Sequence, residues 1–259
     1  MNNRYRRYLL FTYLVFWVFI GITGVVLMKV SDNSWLKAFM VMLCSWTPTF
    51  VLLIMFRKLM PDKNRRTFFR GLFHAKINWW LLLSVTGIQL AAFFIAVALV
   101  SHQQKIPFIS LINTSILSYV IAFFINLMQG ATGEEAGWRG YLQPIMVEKY
   151  GLIKGCIWVG FIQGFWHLPL WFTTGYAGGT LALYIGCFML SIVSFAVLTG
   201  VLYHINRNAV IPIWLHLMFN MTVSSIYVGN IMDLFPLVSV GYLIIAVVVG
   251  IWYSVKKKL

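Results

Sequence analysis

The chain has 259 residues, of which 61% are apolar and only 10% charged, with a mean hydropathy of +0.84. A soluble domain carries about 25% charged residues, so this composition excludes a soluble globular domain, a disordered chain and a fibrous repeat, and leaves an integral membrane protein. Twenty Lys and Arg against six Asp and Glu give a net charge of +14. In a membrane protein such an excess collects in cytoplasmic loops and at anionic headgroups, so the expected partner is the lipid bilayer and not nucleic acid.

A membrane-crossing helix needs about 20 apolar residues. Eight segments qualify in chain order: 8–28, 36–56, 79–100, 109–131, 155–172, 181–203, 209–227 and 236–254. The reading is an all-α, polytopic membrane protein, one integral domain over 1–259, with about eight transmembrane helices around an intramembrane polar cavity. The first apolar run is too long for the apolar region of a signal peptide, and no small-residue cleavage site follows it. Alternating loops divide Lys and Arg unevenly. Seventeen fall on one side, including Arg139, Lys149 and Lys154 in the fourth loop and Lys256, Lys257 and Lys258 in the tail; Lys29, Lys37 and Lys105 fall on the other. By the positive-inside rule this predicts a multi-pass protein of the cell membrane with both termini cytoplasmic. The basic stretch 57–78, with interleaved Phe and Leu, reads as an ordinary cytoplasmic loop. Cys44, Cys156 and Cys187 lie in apolar stretches without metal or disulfide spacing and read as small buried side chains.

With acids so scarce, their placement is informative. Asp32, Asp62, Glu148 and Asp233 fall in predicted loops. Glu134 and Glu135 are adjacent in QGATGEEAGWRGYLQPIM, directly after an apolar segment. Two neighbouring carboxylates near a bilayer repel and are costly to desolvate, which favours a carboxyl group poised as a general base. Arg139 stands at i+4 from Glu135 and can pair with it on a helix, leaving Glu134 about 100° around the helix and free for chemistry. The bland alternative is a salt-bridged helix start at the membrane interface.

His74, His102 and His204 fall in loops. His167 lies inside an apolar segment, in WVGFIQGFWHLPLW. His216 lies inside another, with Asn220 at i+4 and therefore on the same helix face. Polar side chains at membrane depth face a cavity or each other. A carboxylate and an imidazole can share and deprotonate a water, and an imidazole and an amide can donate to a developing oxyanion. The same groups could hold a divalent metal, zinc in particular, with Glu134, His167 and His216 as candidate ligands. No HExxH, GxSG or GxGD occurs, which argues against zincin-type, serine and paired-aspartate intramembrane proteases.

Glu134-Glu135-xxx-Arg139, His167 and His216-xxx-Asn220, in this order, resemble the CPBP family, the CAAX proteases and bacteriocin-processing enzymes also called the Abi family, whose members include type II CAAX prenyl endopeptidases. The resemblance covers roughly 110–225, the expected catalytic core. It implies an all-helical intramembrane endopeptidase in which Glu134 and His167 activate water, Glu135 supports the site through Arg139, and His216 with Asn220 forms the oxyanion hole. It implies a peptide or protein substrate, membrane-embedded or lipidated, in peptide maturation, bacteriocin immunity or CAAX processing. Family usage includes the label metalloprotease, and metal dependence stays open. One departure stands out: the second motif is usually written FxxxH, and Gln163 occupies the Phe position. Two other functions fit the composition, a non-proteolytic immunity or scaffold protein, and a transporter using Glu134 and the histidines as a proton relay, although no inverted repeat is visible.

Depth poses a condition. At about 1.5 Å per residue, His216 lies roughly 10 Å and His167 roughly 18 Å inside their segments. Glu134 falls at the cytoplasmic edge of its own. A shared site therefore requires residues near 115–142 to form one long or broken helix beside a water-filled cavity.

Overall fold

The computed structural model describes residues 3–29 and 34–256, so Asp32, Lys257 and Lys258 lie outside the described residues. Ten helices organise them: α1 (Arg4–Lys29), α2 (Ser34–Ser45), α3 (Thr47–Leu59), α4 (Arg65–Leu72), α5 (Trp79–Gln104), α6 (Ile116–Tyr150), α7 (Leu152–Trp166), α8 (Gly178–Asn206), α9 (Val210–Ser224) and α10 (Ile231–Lys256). Short helical turns link some of them, and among the described residues the extended pairing is the single bridge between Ile112 and Ile226. The all-α expectation is met.

All eight apolar segments contain helix, but eight crossings are not confirmed. Among the described residues five helices are long and apolar enough to cross: Arg4–Val25, α5, α6, α8 and the last, Val228–Lys256. The pair Leu36–Ser45 and Thr47–Leu59, bent by 47°, makes a sixth if counted as one span. The bend has a local cause, since Pro48 in the first turn of α3 offers no N–H to the preceding turn and restricts the residue before it. Helices α7 and α9 have 15 residues each. At about 1.5 Å per residue they reach roughly 22 Å, short of the ~30 Å hydrocarbon core. Hydropathy alone does not show where these helices stop. Helix α7 ends at His167, just before Pro169, and α9 ends where Ile226 turns to pair with Ile112.

Many large apolar side chains face outward, including Trp80, Ile116 and Ile54, each about four-fifths exposed. In water such a surface would aggregate; against lipid it is the ordinary exterior of a multi-pass membrane protein. The interior divides into two apolar clusters. One joins α5, α8, α9 and α10 through residues such as Phe93, Leu198, Leu215 and Tyr242. The other joins α1, α3, α4, α6 and α7 through Tyr8, Leu52, Phe68, Trp138 and Trp166. Helix α1 is stitched to α7 by polar contacts: the Tyr13 hydroxyl donates to the Ile162 carbonyl, Trp17 Nε1 to the Trp166 carbonyl at 3.1 Å, and Trp166 Nε1 back to the Thr12 carbonyl at 3.3 Å.

Helix α6 has an unusual backbone. Wide π-type turns at Leu127–Ala131 and Ala136–Leu142 flank the turn Thr132–Glu135, and Gln129 leaves helical geometry (φ −80°, ψ −114°). Such π segments are frequent at functional sites. The break is held from outside: Trp46 Nε1 donates to the Met128 carbonyl at 2.6 Å, and Gln129 Nε2 donates to the Ala38 carbonyl at 3.2 Å. The bent α2–α3 pair thus grips the distorted turn of α6. Close approach requires glycine there, because a Cβ on Gly133 would sit 2.6 Å from the Trp46 ring. Helix α6 ends at Gly151, whose φ of +78° allows the reversal into α7.

Candidate active site

The depth condition is met by the length of α6. Glu134 and Glu135 lie in the middle of a 35-residue helix, not at its start, and are 3% and 1% exposed. The interfacial helix-start alternative is thereby excluded. Arg139, expected in the fourth loop, is 1% exposed inside the same helix and leaves the loop charge count. Glu148 and Asp233, expected in loops, stand on the ends of α6 and α10 but remain exposed.

The two adjacent carboxylates have different partners. Glu135 Oε1 accepts from His216 Nδ1 at 2.8 Å, and its Oε2 lies 3.2 Å from Arg139 Nε. The guanidinium at that distance is an ion-pair neighbour and is out of line for a hydrogen bond to Oε2. Arg139 is held instead by Thr199 of α8, whose Oγ1 accepts from Nε at 3.2 Å and from an Nη at 2.7 Å, and by Gln163 of α7, whose Oε1 accepts from the other Nη at 2.9 Å. The Glu135–Arg139 pairing read from the i+4 spacing is present. Helix α6 is thereby bound to α7, α8 and α9, across the boundary between the two apolar clusters.

Glu134 touches neutral donors only. Its Oε2 accepts from Trp138 Nε1 at 3.0 Å and from Gln163 Nε2 at 2.9 Å. Its Oε1 faces Gly130. A Cβ placed on that glycine would lie 3.1 Å from Glu134 Oε1, 3.1 Å from His216 Nε2 and 3.2 Å from Asn220 Nδ2. Three functional atoms from two helices therefore surround one small space, kept open because residue 130 has no side chain. His216 and Asn220 share a face of α9, as the spacing requires.

His167 caps the end of α7. Its Nδ1–H donates to the Gln163 carbonyl at 2.8 Å, which leaves Nε2 with its lone pair. The ring is wedged among Phe16, Trp166 and Phe188 and lies within electrostatic range of Glu134 and His216. The structure thus brings Glu134, Glu135, Arg139, His167, His216 and Asn220 together. Asn220 also borders a cavity of about 240 Å³, lined by Tyr184, Phe188, Phe219 and Phe235, with Asn126 and Ser224 at its polar edge. Phe161 and Phe165 point away from the site and are exposed.

Among the described residues no three His, Cys, Asp or Glu side chains come together in a metal-binding group. Glu134 Oε2 is occupied by two N–H donors, and the Nδ1 atoms of both histidines are committed to other partners. The three cysteines are buried, free and dispersed. Sequence reasoning missed Thr199, Gly130 and the hydrogen bond from Trp138 to Glu134. Thr199 is one hydroxyl in an apolar helix and gives no signal. Trp138 stands at i+4 from Glu134, the same spacing that revealed Arg139, and could have been found by it.

Comparison with known proteins agrees with this geometry. Residues 116–222 match the family described as type II CAAX prenyl endopeptidase Rce1-like. A CAAX prenyl protease 2 of Methanococcus maripaludis is 27% identical over 174 residues, a match covering 64% of this chain. The chain spans 62% of that relative's length. Every site residue discussed above falls inside the family match, from Gly130 to Asn220. Over residues 116–222 the chain is therefore similar to the Rce1-like type II CAAX prenyl endopeptidases, the family its three motifs resemble.

Proposed function

We propose that the protein is an intramembrane endopeptidase of CAAX type that hydrolyses a peptide bond with a water activated by Glu134. The observation that carries this reading is the convergence of Glu134 Oε1, His216 Nε2 and Asn220 Nδ2 on the space at Gly130. A water there meets a carboxylate oxygen that can take its proton, and His167, with a bare Nε2, assists the transfer. As the water attacks the carbonyl carbon, the carbonyl oxygen gains negative charge. Asn220 Nδ2–H and His216 Nε2–H stand across the same space to receive it.

His216 Nδ1 faces Glu135, and Glu135 with Arg139 act as the scaffold that holds the imidazole with Nε2 toward the space at Gly130. Glu134 then returns its proton to the leaving amine, which closes the cycle.

The substrate is a peptide or protein whose scissile bond reaches the site from the bilayer or from the cytoplasmic side, the side on which the loop charges predict both termini. The relative's name points to prenylated CAAX tails, while peptide maturation and bacteriocin immunity are the other settings for this chemistry. The test is proteomics of peptides released from membranes carrying wild type beside Glu134→Gln. The reading requires products present only with wild type. Identical peptide profiles, with the variant folded, would refute it.

A further inference from the structure

The family pattern has Phe where this chain has Gln163, and a buried amide in an apolar helix demands partners. Gln163 is 1% exposed, and both of its side-chain polar atoms and its backbone carbonyl are engaged with the site. Its Oε1 accepts from Arg139 at 2.9 Å, its Nε2 donates to Glu134 Oε2 at 2.9 Å, and its backbone carbonyl accepts from His167 Nδ1 at 2.8 Å. The amide orientation is fixed by chemistry: a guanidinium only donates and an ionised carboxylate only accepts, so the opposite flip would break both bonds.

We infer that Gln163 is a positioning residue of the hydrolytic site, one that fixes which oxygen of Glu134 meets the water; this rests on the peptidase reading above. The amide occupies Oε2 together with Trp138 Nε1, so Oε1 is the oxygen turned to the space at Gly130. It also connects Arg139 to Glu134 without an ion pair between them. Both of its hydrogen bonds are charge-assisted, and each polarises the amide in the sense that strengthens the other. Glu134 is thereby oriented by the same guanidinium that neutralises Glu135, yet keeps a carboxylate free of direct cationic contact. A Phe at 163 could still offer the carbonyl to His167. It could supply neither side-chain bond.

The test compares Gln163→Met, which keeps the bulk and loses both side-chain bonds, with Gln163→Glu, which keeps the acceptor for Arg139 but loses the donor to Glu134. Cleavage is followed with a fluorogenic CAAX-type peptide in proteoliposomes. For both variants kcat should fall about 10–100-fold with KM within about twofold, the pattern for a group needed in the transition state and not in ground-state binding. Combining Gln163→Met with Trp138→Phe should lose less than the product of the two single losses, because both donors serve one oxygen. A residue that merely fills space would show neither the kcat-against-KM split nor the coupling. A second readout needs no turnover: the infrared carboxylate band of Glu134, isolated as wild type minus Glu134→Gln, should move in the Gln163→Met background. Unchanged kcat, or an unmoved band in a folded variant, overturns the inference. A wild type that cleaves no peptide while the band still moves refutes the peptidase reading and leaves the positioning of Glu134 supported.

Discussion

Substitution of Gly130 by Ala tests the proposed site with a single methyl group. Residue 130 has no positive φ, so alanine meets no backbone strain. Its intrinsic helix preference is better than glycine's by about 0.5–1 kcal/mol. The added Cβ would stand 3.1 Å from Glu134 Oε1, 3.1 Å from His216 Nε2 and 3.2 Å from Asn220 Nδ2. These contacts are slightly tight and are relieved by shifts of a few tenths of an ångström, so the fold should survive. The reaction should not. An attacking water needs about 2.8 Å to the carboxylate oxygen, and the developing oxyanion about 2.7–3.1 Å to its donors. The methyl occupies the ground on which both distances are met. Loss of one oxyanion donor alone typically lowers kcat about 10²–10³-fold, or ~3–4 kcal/mol, and general-base catalysis contributes another factor of about 10²–10⁴. We expect kcat/KM of Gly130→Ala to fall at least 10³-fold (roughly, from those two ranges) in proteoliposomes, with the thermal midpoint in detergent unchanged or raised. Gly87→Ala is the control, because a Cβ on Gly87 meets nothing within 4 Å. A Gly130→Ala enzyme that turns over at the wild-type rate would show that the space is not where the reaction occurs.

Removing the buried cation should act on stability first. Arg139→Met leaves Glu135 buried without its ion-pair neighbour and should destabilise by about 3–5 kcal/mol, seen as a large drop in thermal midpoint; Arg139→Lys should recover little, since an ammonium cannot span Thr199 and Gln163 together. Gly133→Ala drives a Cβ to 2.6 Å from Trp46 and should cost about 1–3 kcal/mol by overpacking, with activity lost alongside stability because the same contact holds the break in α6. Dialysis against a chelator should leave turnover intact, since no three metal-donor side chains converge among the described residues; loss of activity restored by added zinc would contradict this.

Much of the site could be read from the sequence because helix periodicity is local. The i+4 spacing gave the Glu135–Arg139 contact and the shared face of His216 and Asn220, and both are present. The scarcity of acids singled out the pair that the structure buries in the middle of α6. The crossing number could not be read in the same way. Apolar runs at 155–172 and 209–227 look like spans, yet a turn at His167 and another after Ser224 shorten both helices to 15 residues. Those stops depend on tertiary contacts, such as the pairing of Ile226 with Ile112, that have no local signature. The same holds for Gly130 and Thr199. A glycine kept for the space beside it looks like any other glycine, and a hydroxyl that holds a guanidinium from 60 residues away looks like a filler in an apolar helix. Gln163 lay between these cases. Its polarity in an apolar segment was visible, while its partners required the helices to be assembled.

Why two adjacent glutamates do not duplicate one another follows from their surroundings. Neighbours on a helix point about 100° apart, so each enters a different environment although their backbones are contiguous. Glu135 turns toward the Arg139 guanidinium, which balances its charge, and accepts from His216 Nδ1. Glu134 turns toward an indole and an amide, whose N–H groups orient it without neutralising it, and its second oxygen opens on the space at Gly130. The assignment of roles therefore does not depend on the order of the two residues in the motif. Exchanging the partners, for example by placing a cation at 163 with Gln163→Lys, should quench Glu134 as a base, and the thermal midpoint in detergent separates this from the cost of setting an ammonium beside Arg139. Retained turnover in that variant would show that freedom from cationic contact is not what distinguishes the two acids.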